Sequence, residues 1–182
     1  MMKGLILLVN GFEESEAIIT IDLLRRANIE IDLVSLTNSL TVTSSGNITV
    51  SCDKLYSITK LEDYNFLVIP GGKAVFNYHL DSIVTKEIVD YFMSKNLVVA
   101  AICAAPMILG KYGYLKDKHF TCFPSCEEDH FGGIYEPEYG AVQDGNIITG
   151  KACGTTFDFA QTIIEAVLNT ETADDVINKV YY

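Results

Sequence analysis

Short hydrophobic runs alternate along this chain with longer segments in which hydrophobic residues recur every three or four positions. Short apolar or alternating runs bounded by turn residues are typical of β-strands, whereas the longer period is typical of helices that pack on one face. The strands predicted in this way are residues 4–10, 30–36, 66–69, 97–102 and 120–123. The predicted helices are residues 13–27, 75–80, 83–94, 104–110, 154–168 and 172–180.

Two further segments have the pattern of β-hairpins. Residues 40–51 place Ser-Ser-Gly-Asn between two β-branched runs, and residues 141–149 contain the strong turn signal Asp144-Gly145. Residues 132–140, which begin with two glycines, are predicted to form an exposed loop.

The alternation of strands and helices predicts an α/β fold in which helices cover both faces of a mostly parallel sheet. The length of 182 residues suits a single domain over residues 1–182 with a sizeable core. The inward-facing positions predicted for the helices include Ile18 and Ile83. Thr155 and Asp158 have the spacing of a capping box for the last long helix.

The chain is strongly acidic, with a formal net charge of -11 at pH 7. Such a surface repels phosphate backbones, so we expect no nucleic-acid partner. No apolar run reaches the roughly 18 residues of a membrane span. The N-terminal residues lack the features of a signal peptide, so we expect a cytoplasmic protein without membrane association.

The five cysteines are odd in number and, without an export signal, are expected to be free thiols. Cys122 and Cys126 are separated by three residues, but His130 alone does not complete a zinc site. We therefore expect neither a metal nor a cofactor.

Cys103 lies at the junction of the strand-like run 97–102 and the helix-like run 104–110. A thiol on such a tight turn faces the unpaired N–H groups of the helix, whose dipole is expected to lower the thiol pKa. In hydrolases that have a serine at this position, the same strand-to-helix turn is known as the nucleophile elbow. The alternative is a buried structural cysteine, which is a common fate of this residue.

Three loops are expected to meet at the carboxyl edge of the predicted sheet, namely residues 11–16, 70–72 and 103–106. In open parallel sheets, ligands bind beyond the carboxyl ends of the strands. This convergence favours a reactive Cys103 over a structural one.

The same loops carry motifs that resemble the ThiJ/PfpI superfamily, in particular the branch of the Parkinson-associated protein deglycase and its bacterial YajL-like relatives. The matching stretches are Gly11-Phe-Glu-Glu-Ser-Glu16, Pro70-Gly-Gly72, Ala101-Ile-Cys-Ala-Ala-Pro106 and Gly154-Thr155. They run from the first strand to the last long helix, so the resemblance covers nearly the whole chain. The resemblance implies a flavodoxin-like, three-layer sandwich that is usually a homodimer.

The resemblance also implies roles for individual residues. The family nucleophile falls on Cys103, the glutamate that hydrogen-bonds it falls on Glu16, and the backbone oxyanion donors fall on Gly72 and Ala104. A glutamate near a helix start can instead be a solvated residue that serves only the helix dipole. Further positions expected at the pocket are Gly71, Phe123, Cys153 and Gly154. Cys153 either packs or resolves an oxidised Cys103 as a disulfide.

The chain departs from the resembled proteins at two positions. The human branch has a histidine before the proline of a Thr-x-His-Pro stretch, whereas this chain has Phe123, as the YajL-like members do. The PfpI-type proteases have a histidine directly after the cysteine, and this chain has Ala104 there. A Cys-His peptidase is therefore disfavoured.

Two functions remain open at this point. The first is a cofactor-independent thiol enzyme of glyoxalase or deglycase type that acts on small carbonyl compounds or glycated side chains. The second is a redox-sensing or chaperone protein whose Cys103 oxidises under stress. A structural domain with inert thiols is the third alternative.

Overall fold

The computed structural model describes residues 2–182 and has a seven-stranded sheet at its centre. The strands are β1 (Lys3–Leu8), β2 (Glu30–Ser35), β3 (Thr41–Thr43), β4 (Thr49–Ser51), β5 (Lys54–Leu55), β6 (Phe66–Ile69), β7 (Val98–Ile102), β8 (His119–Phe120), β9 (Ile134–Tyr135), β10 (Ala141–Asp144) and β11 (Ile147–Gly150). The order in the central sheet is β10-β11-β7-β6-β1-β2-β5. Only the edge pair β10 and β11 is antiparallel among the described strands of this sheet.

Helices cover both faces of this sheet. They are α1 (Glu14–Arg26), α2 (Lys73–Asn77), α3 (Ile83–Ser94), α4 (Pro106–Lys111), α5 (Thr156–Val167) and α6 (Thr170–Lys179). Short 3-10 turns lie at Tyr56–Ile58, Leu61–Asp63, His79–Asp81, Glu128–Gly132 and Cys153–Thr155.

Alternate residues of each strand enter two separate hydrophobic cores, because successive side chains of a strand point to opposite faces. In β1, Ile6 and Leu8 pack with α1, α5 and α6, whereas Leu5 and Leu7 pack with α3 and α4. The predicted three-layer, flavodoxin-like α/β fold with a mostly parallel sheet is therefore confirmed.

Both predicted hairpins form. β3 pairs antiparallel with β4, and β10 pairs antiparallel with β11 around Asp144-Gly145. The first hairpin lies against the start of α1, where the N–H of Gly46 donates to the Glu14 carboxylate at 3.1 Å. The loop after β1 also contacts this hairpin, since the N–H of Gly11 donates to the Thr43 carbonyl at 2.8 Å.

Several local predictions are wrong. Ile18 and Ile83 were expected to face inward but are 42% and 73% exposed. Ile18 lies beyond the edge of the buried stripe of α1, and Ile83, the first residue of α3, lies on the side of that helix opposite the buried Phe92. The predicted loop 132–140 contains β9, which pairs in parallel with β8. The predicted capping box is absent, because the Thr155 hydroxyl donates to the Ala152 carbonyl instead.

Candidate active site

Cys103 is held on a sharp turn between β7 and α4. Its φ of 65° lies in the left-handed region, which is uncommon for a residue other than glycine. Two backbone hydrogen bonds hold this conformation: the Cys103 N–H donates to the Gly150 carbonyl at 2.9 Å, and its carbonyl accepts from the Phe123 N–H at 2.8 Å. Strain of this kind persists where the surrounding structure fixes it, and it is common at reactive side chains.

Glu16 reaches Cys103 from the first turn of α1. Its side chain is buried, with 1% of the residue exposed, and Oε2 accepts a hydrogen bond from the Gly71 N–H at 2.7 Å. The other oxygen, Oε1, is buried without a hydrogen-bond partner. The carboxyl group lies beside the Cys103 thiol, and each group shifts the pKa of the other. A glutamate placed here serves the thiol, not the solvent-facing surface of the helix.

Burial raises the pKa of Glu16 to about 7. The negative charge of Glu13 adds to this increase, whereas the hydrogen bonds from Gly71 and Cys103 oppose it because they favour the ionised carboxylate. The carboxyl group therefore exchanges its proton near neutral pH, which is the range in which a general acid or base is most effective.

The pKa of Cys103 is raised, first by burial and then by the charge and hydrogen bond of Glu16. The N–H groups of Ala104 and Gly72 act in the opposite direction because they point at the sulfur and favour a thiolate. The sequence-based expectation of a lowered thiol pKa is therefore wrong. Helix α4 begins only at Pro106, so its N-terminus lies beyond the sulfur's immediate neighbours.

The turn after β6 requires two glycines. A Cβ on Gly72, whose φ is 90°, would lie 2.5 Å from the Gly11 carbonyl oxygen and 2.6 Å from the Glu13 nitrogen. A Cβ on Gly71 would lie 2.7 Å from the Cys103 Cβ and 2.8 Å from the Glu16 Oε2. The first position permits a close approach of two backbones, and the second leaves room for the thiol and the carboxyl group.

We expect Gly71→Ala to lower the activity of Cys103 while leaving the protein folded. The added methyl group must displace either the sulfur-bearing residue or the carboxyl group, and a 1 Å displacement at a reacting centre costs about 100-fold in rate. The measurement is the second-order rate of Cys103 alkylation by iodoacetamide. Gly154→Ala is the matched control, because a Cβ there meets no atom within 4 Å. Equal rates in both variants would contradict this reading of the turn.

A cleft of 240 Å³ opens above the thiol. Its lining residues are Gly72, Phe76, Cys103, Ala104, Phe123, Ser125 and Cys126. Phe123 was expected here, whereas Phe76, Ser125 and Cys126 were not identified from the sequence. Phe76 lies in α2, directly after the glycine turn, and is 53% exposed. The signal available in the sequence was an aromatic residue shortly after the Pro70-Gly71-Gly72 motif.

The other predicted pocket residues lie outside the lining of this cleft. Gly71 is behind it, where its N–H holds Glu16. Cys153 is exposed, and it and Gly154 form the 3-10 turn that precedes α5. The structure therefore brings Cys103, Glu16, Gly72 and Ala104 together with Phe123, and leaves Cys153 and Gly154 at the surface.

Two general features of residues 2–182 bear on the chemistry. No three His, Cys, Asp or Glu side chains in this part of the chain come together in a group that could hold a metal ion. None of the helices in the same range is long and apolar enough to cross a membrane.

The parallel sheet, the strained cysteine and the buried carboxyl beside it define a flavodoxin-like α/β protein with a nucleophile elbow. The chain belongs to the DJ-1/PfpI family, whose model matches residues 2–166. It is 36% identical to protein DJ-1alpha of Drosophila melanogaster over 178 residues, covering 96% of this chain and 81% of that protein. It is 31% identical to the Parkinson disease protein 7 homolog of Danio rerio, covering 96% of this chain and 94% of the relative.

Solved structures agree with this assignment. Oxidized Toxoplasma gondii DJ-1 superposes with a TM-score of 0.92 at 29% identity, covering 100% of this chain and 99% of that chain. Drosophila melanogaster DJ-1beta superposes with a TM-score of 0.88 at 30% identity, covering 99% and 97%. The resemblance to the superfamily is thus confirmed, and the narrower YajL-like branch stays a prediction.

Proposed function

We propose that this protein is a cofactor-independent cysteine enzyme of glyoxalase or deglycase type, which acts on small reactive carbonyl compounds. The observation that carries the proposal is the geometry around Cys103. A thiol, a carboxyl group with a pKa about 7 and two backbone N–H groups meet at a cleft of 240 Å³. Membership of the DJ-1/PfpI family supports a deglycase, glyoxalase or oxidative-stress role in general.

The first step is addition of the thiol to an aldehyde such as that of methylglyoxal. The Cys103 sulfur forms a bond to the aldehyde carbon, and its proton passes to the Glu16 carboxylate. The carbonyl oxygen becomes an oxyanion, which the N–H groups of Gly72 and Ala104 stabilise. Glu16 then returns the proton to this oxygen, and the product is a hemithioacetal.

The second step is an internal rearrangement of the hemithioacetal. Glu16 removes the proton from the former aldehyde carbon and delivers it to the neighbouring ketone carbon. The proton of the hemithioacetal hydroxyl passes to the ketone oxygen in the same rearrangement, so the product is a thioester of lactic acid. Water hydrolyses the thioester and frees the Cys103 thiol. The sum is methylglyoxal plus water giving lactate and a proton, so no external oxidant or reductant is needed.

We expect Cys103→Ala to abolish lactate production from methylglyoxal, because Cys103 is the thiol that the Glu16 carboxyl group and the N–H groups of Gly72 and Ala104 surround. The assay measures lactate released by wild type and variant. Cys153→Ala, which removes a thiol away from the cleft lining, is the control and should match wild type. Equal lactate production by wild type and Cys103→Ala would overturn the proposal.

A second candidate function is protection against oxidants, as a redox sensor or chaperone. Cys103 is partly accessible in the cleft, and the Toxoplasma gondii relative is described as oxidized. Under this proposal Cys103 is the first cysteine to oxidise, reaching the sulfinic acid when peroxide is in excess. Mass spectrometry after mild peroxide treatment tests it, since earlier oxidation of another cysteine would exclude it.

Three further proposals accompany this function. Phe123, at the position where the human branch has histidine, supports the YajL-like branch. The family resemblance supports a homodimer, and the net charge of -11 supports a protein without nucleic-acid partners. A cytoplasmic location without membrane association belongs to the same proposal. Glycated side chains are the second substrate class that we propose, because the cleft is open at its Phe76 and Phe123 walls, where both residues are about half exposed.

A further inference from the structure

A second cavity adjoins the Cys103 cleft, and the reaction proposed above does not use it. The volume of this second cavity is 370 Å³, against 240 Å³ for the cleft, and Phe76 lines both. The other apolar residues of its lining are Leu80, Met107 and Phe131. We call this space the side cavity. Because Phe76 is a wall of both spaces, a molecule bound at Cys103 can extend past this ring into the side cavity.

Helix α4 and the turn before it join the side cavity to the cleft. Ala104 lines the cleft, whereas Met107 and Lys111 line the side cavity. The Met107 N–H donates to the Ala104 carbonyl at 3.1 Å, so the helical winding already includes Ala104. Residues three or four positions apart lie on one face of a helix, and a rise of 1.5 Å per residue makes this face about 10 Å long from Ala104 to Lys111. One continuous surface therefore leads from the nucleophile into the side cavity.

Phe131 forms a fixed wall of the side cavity. A Cβ on Gly110, in α4, would lie 2.2 Å from the Phe131 Cγ, so the ring occupies the space that a larger residue would fill. Gly110 lies outside the left-handed region, and glycine weakens a helix relative to alanine, so packing of the ring is the reason for a glycine here. The buried Phe120 ring supports Phe131 from the core, with 5.9 Å between the ring centroids. The wall is therefore part of the packing of the fold.

The other spaces around the cleft do not offer an apolar surface. Behind the thiol, a Cβ on Gly71 would already lie 2.7 Å from the Cys103 Cβ, so no substrate group fits there. Ser125 also borders a third cavity, whose other lining residues are all polar, namely Glu127, Glu128, Asp129 and His130. An apolar group that extends from a carbonyl carbon at Cys103 therefore finds its apolar neighbours in the side cavity.

The charged groups of the side cavity disfavour an anionic occupant. The Lys111 ammonium donates to the Leu80 carbonyl at 2.6 Å and to the Asp81 carboxylate at 2.9 Å, so it is already paired. Glu128 contributes a second carboxylate to the same lining. Because two carboxylates face one paired ammonium, a substituent that carries a carboxylate or a phosphate is repelled, whereas an uncharged chain is not.

We propose that the side cavity binds the substituent of the carbonyl substrate, and that the preferred substrates are α-oxoaldehydes with an uncharged alkyl chain of several carbons. This inference rests on the proposed function, because addition of Cys103 to the aldehyde carbon places the chain. From the reacting carbons the chain passes Phe76 and lies between Met107 and Phe131, and it takes no part in the bonds that form or break. Burial of one methylene group favours binding about fourfold, so a longer chain should raise kcat/KM.

The first test uses the thiol alone and needs no turnover. Cys103 is alkylated with N-hexyliodoacetamide, with iodoacetamide and with a reagent of the hexyl length that ends in a carboxylate. Each rate is divided by that of glutathione, and peptide mass spectrometry locates the modified residue. We expect the hexyl reagent to be about tenfold faster than iodoacetamide after this correction, and the carboxylate reagent to lose most of this advantage. Phe131→Ala, and Gly110→Ala, which forces the ring from its place, should lower the hexyl advantage severalfold, whereas Gly154→Ala should keep it.

The second measurement is kcat/KM for hexylglyoxal and for methylglyoxal, and we expect hexylglyoxal to be preferred by a similar factor. A hexyl advantage in alkylation, with no hydroxy acid formed from either aldehyde, would overturn the proposed function and support the side cavity as a binding site. Equal corrected rates for the hexyl reagent and iodoacetamide, a carboxylate reagent as fast as the hexyl reagent, or a preference for methylglyoxal would overturn this inference and leave the proposed function to its own lactate assay. The wild-type rates decide these outcomes, so the inference stays testable if Phe131→Ala or Gly110→Ala does not fold.

Discussion

Glu16→Gln is expected to lower kcat/KM for methylglyoxal by about 10²–10⁴-fold, the range typical of losing a general acid–base group. Glutamine keeps the size of the side chain and can still accept a hydrogen bond from the Gly71 N–H, but it cannot take the thiol proton. The loss should therefore appear mainly in kcat, because the cleft that binds the substrate is unchanged. Steady-state kinetics with purified wild type and variant measure it.

The control for this prediction is Glu14→Gln on the same helical turn. The Glu14 carboxylate binds the Gly46 N–H in the neighbouring hairpin and does not reach the thiol. Its activity should stay within a few-fold of wild type. If the two variants lose activity equally, the effect comes from the helix or its charge and not from proton transfer to Cys103.

The pH dependence gives the same prediction a second readout. Because the pKa of Glu16 is about 7, the wild-type value of kcat/KM should rise with pH through this range as the carboxylate forms. Glu16→Gln should lack this inflection. The contrast separates a proton carrier from a residue that merely fills space.

The second large effect is on stability. The pKa of Glu16 is about 7 in the folded protein and 4.5 for a glutamate exposed to solvent, so between these pH values the folded state binds more protons than the unfolded state. Stability must then fall as pH rises from about 4.5 to 7, by about 3 kcal/mol in total. Glu16→Gln should remove this decline and be the more stable protein at pH 8.

The buried His79 changes the stability in the opposite direction with pH, so its contribution must be separated from that of Glu16. Burial lowers the pKa of His79 to about 4, so its contribution to stability is complete above pH 6.5 and is lost as pH falls toward 4. Both proteins contain His79, so the difference between wild type and Glu16→Gln isolates Glu16. Urea unfolding at pH 5 and pH 8 measures it, and a difference that is the same at both pH values would contradict the buried, proton-binding carboxyl.

The parts of the fold that follow from local pattern were predictable from the sequence. β6 lies at Phe66–Ile69 as predicted, and the Asp144-Gly145 turn forms its hairpin, because both depend on short-range signals. The exposed position of Ile18 was not predictable in the same way, because the helix period defines an apolar stripe but not where its edge meets the sheet. The exposed position of Ile83 was predictable, because the helix period places it opposite Phe92.

The part of the candidate site that lies in sequence motifs at the ends of strands was predictable. Cys103 and Glu16 lie in loops that a parallel sheet must bring to one edge, and the structure places them in contact. The pKa shifts of these two groups were not predictable, because burial causes most of each shift and burial is a property of the whole fold. Cys126 was missed because its place in the cleft depends on hydrogen bonds between residues far apart in sequence.

The central claim is that Cys103 and Glu16 act as one unit that exchanges a proton near neutral pH. The most direct measurement is the rate of Cys103 alkylation by iodoacetamide as a function of pH, in wild type and in Glu16→Gln, with Cys103→Ser as the background. The wild-type rate should rise through an apparent pKa about 7, which belongs to the pair, and this rise should be absent from Glu16→Gln. Identical pH profiles in wild type and Glu16→Gln would contradict the claim.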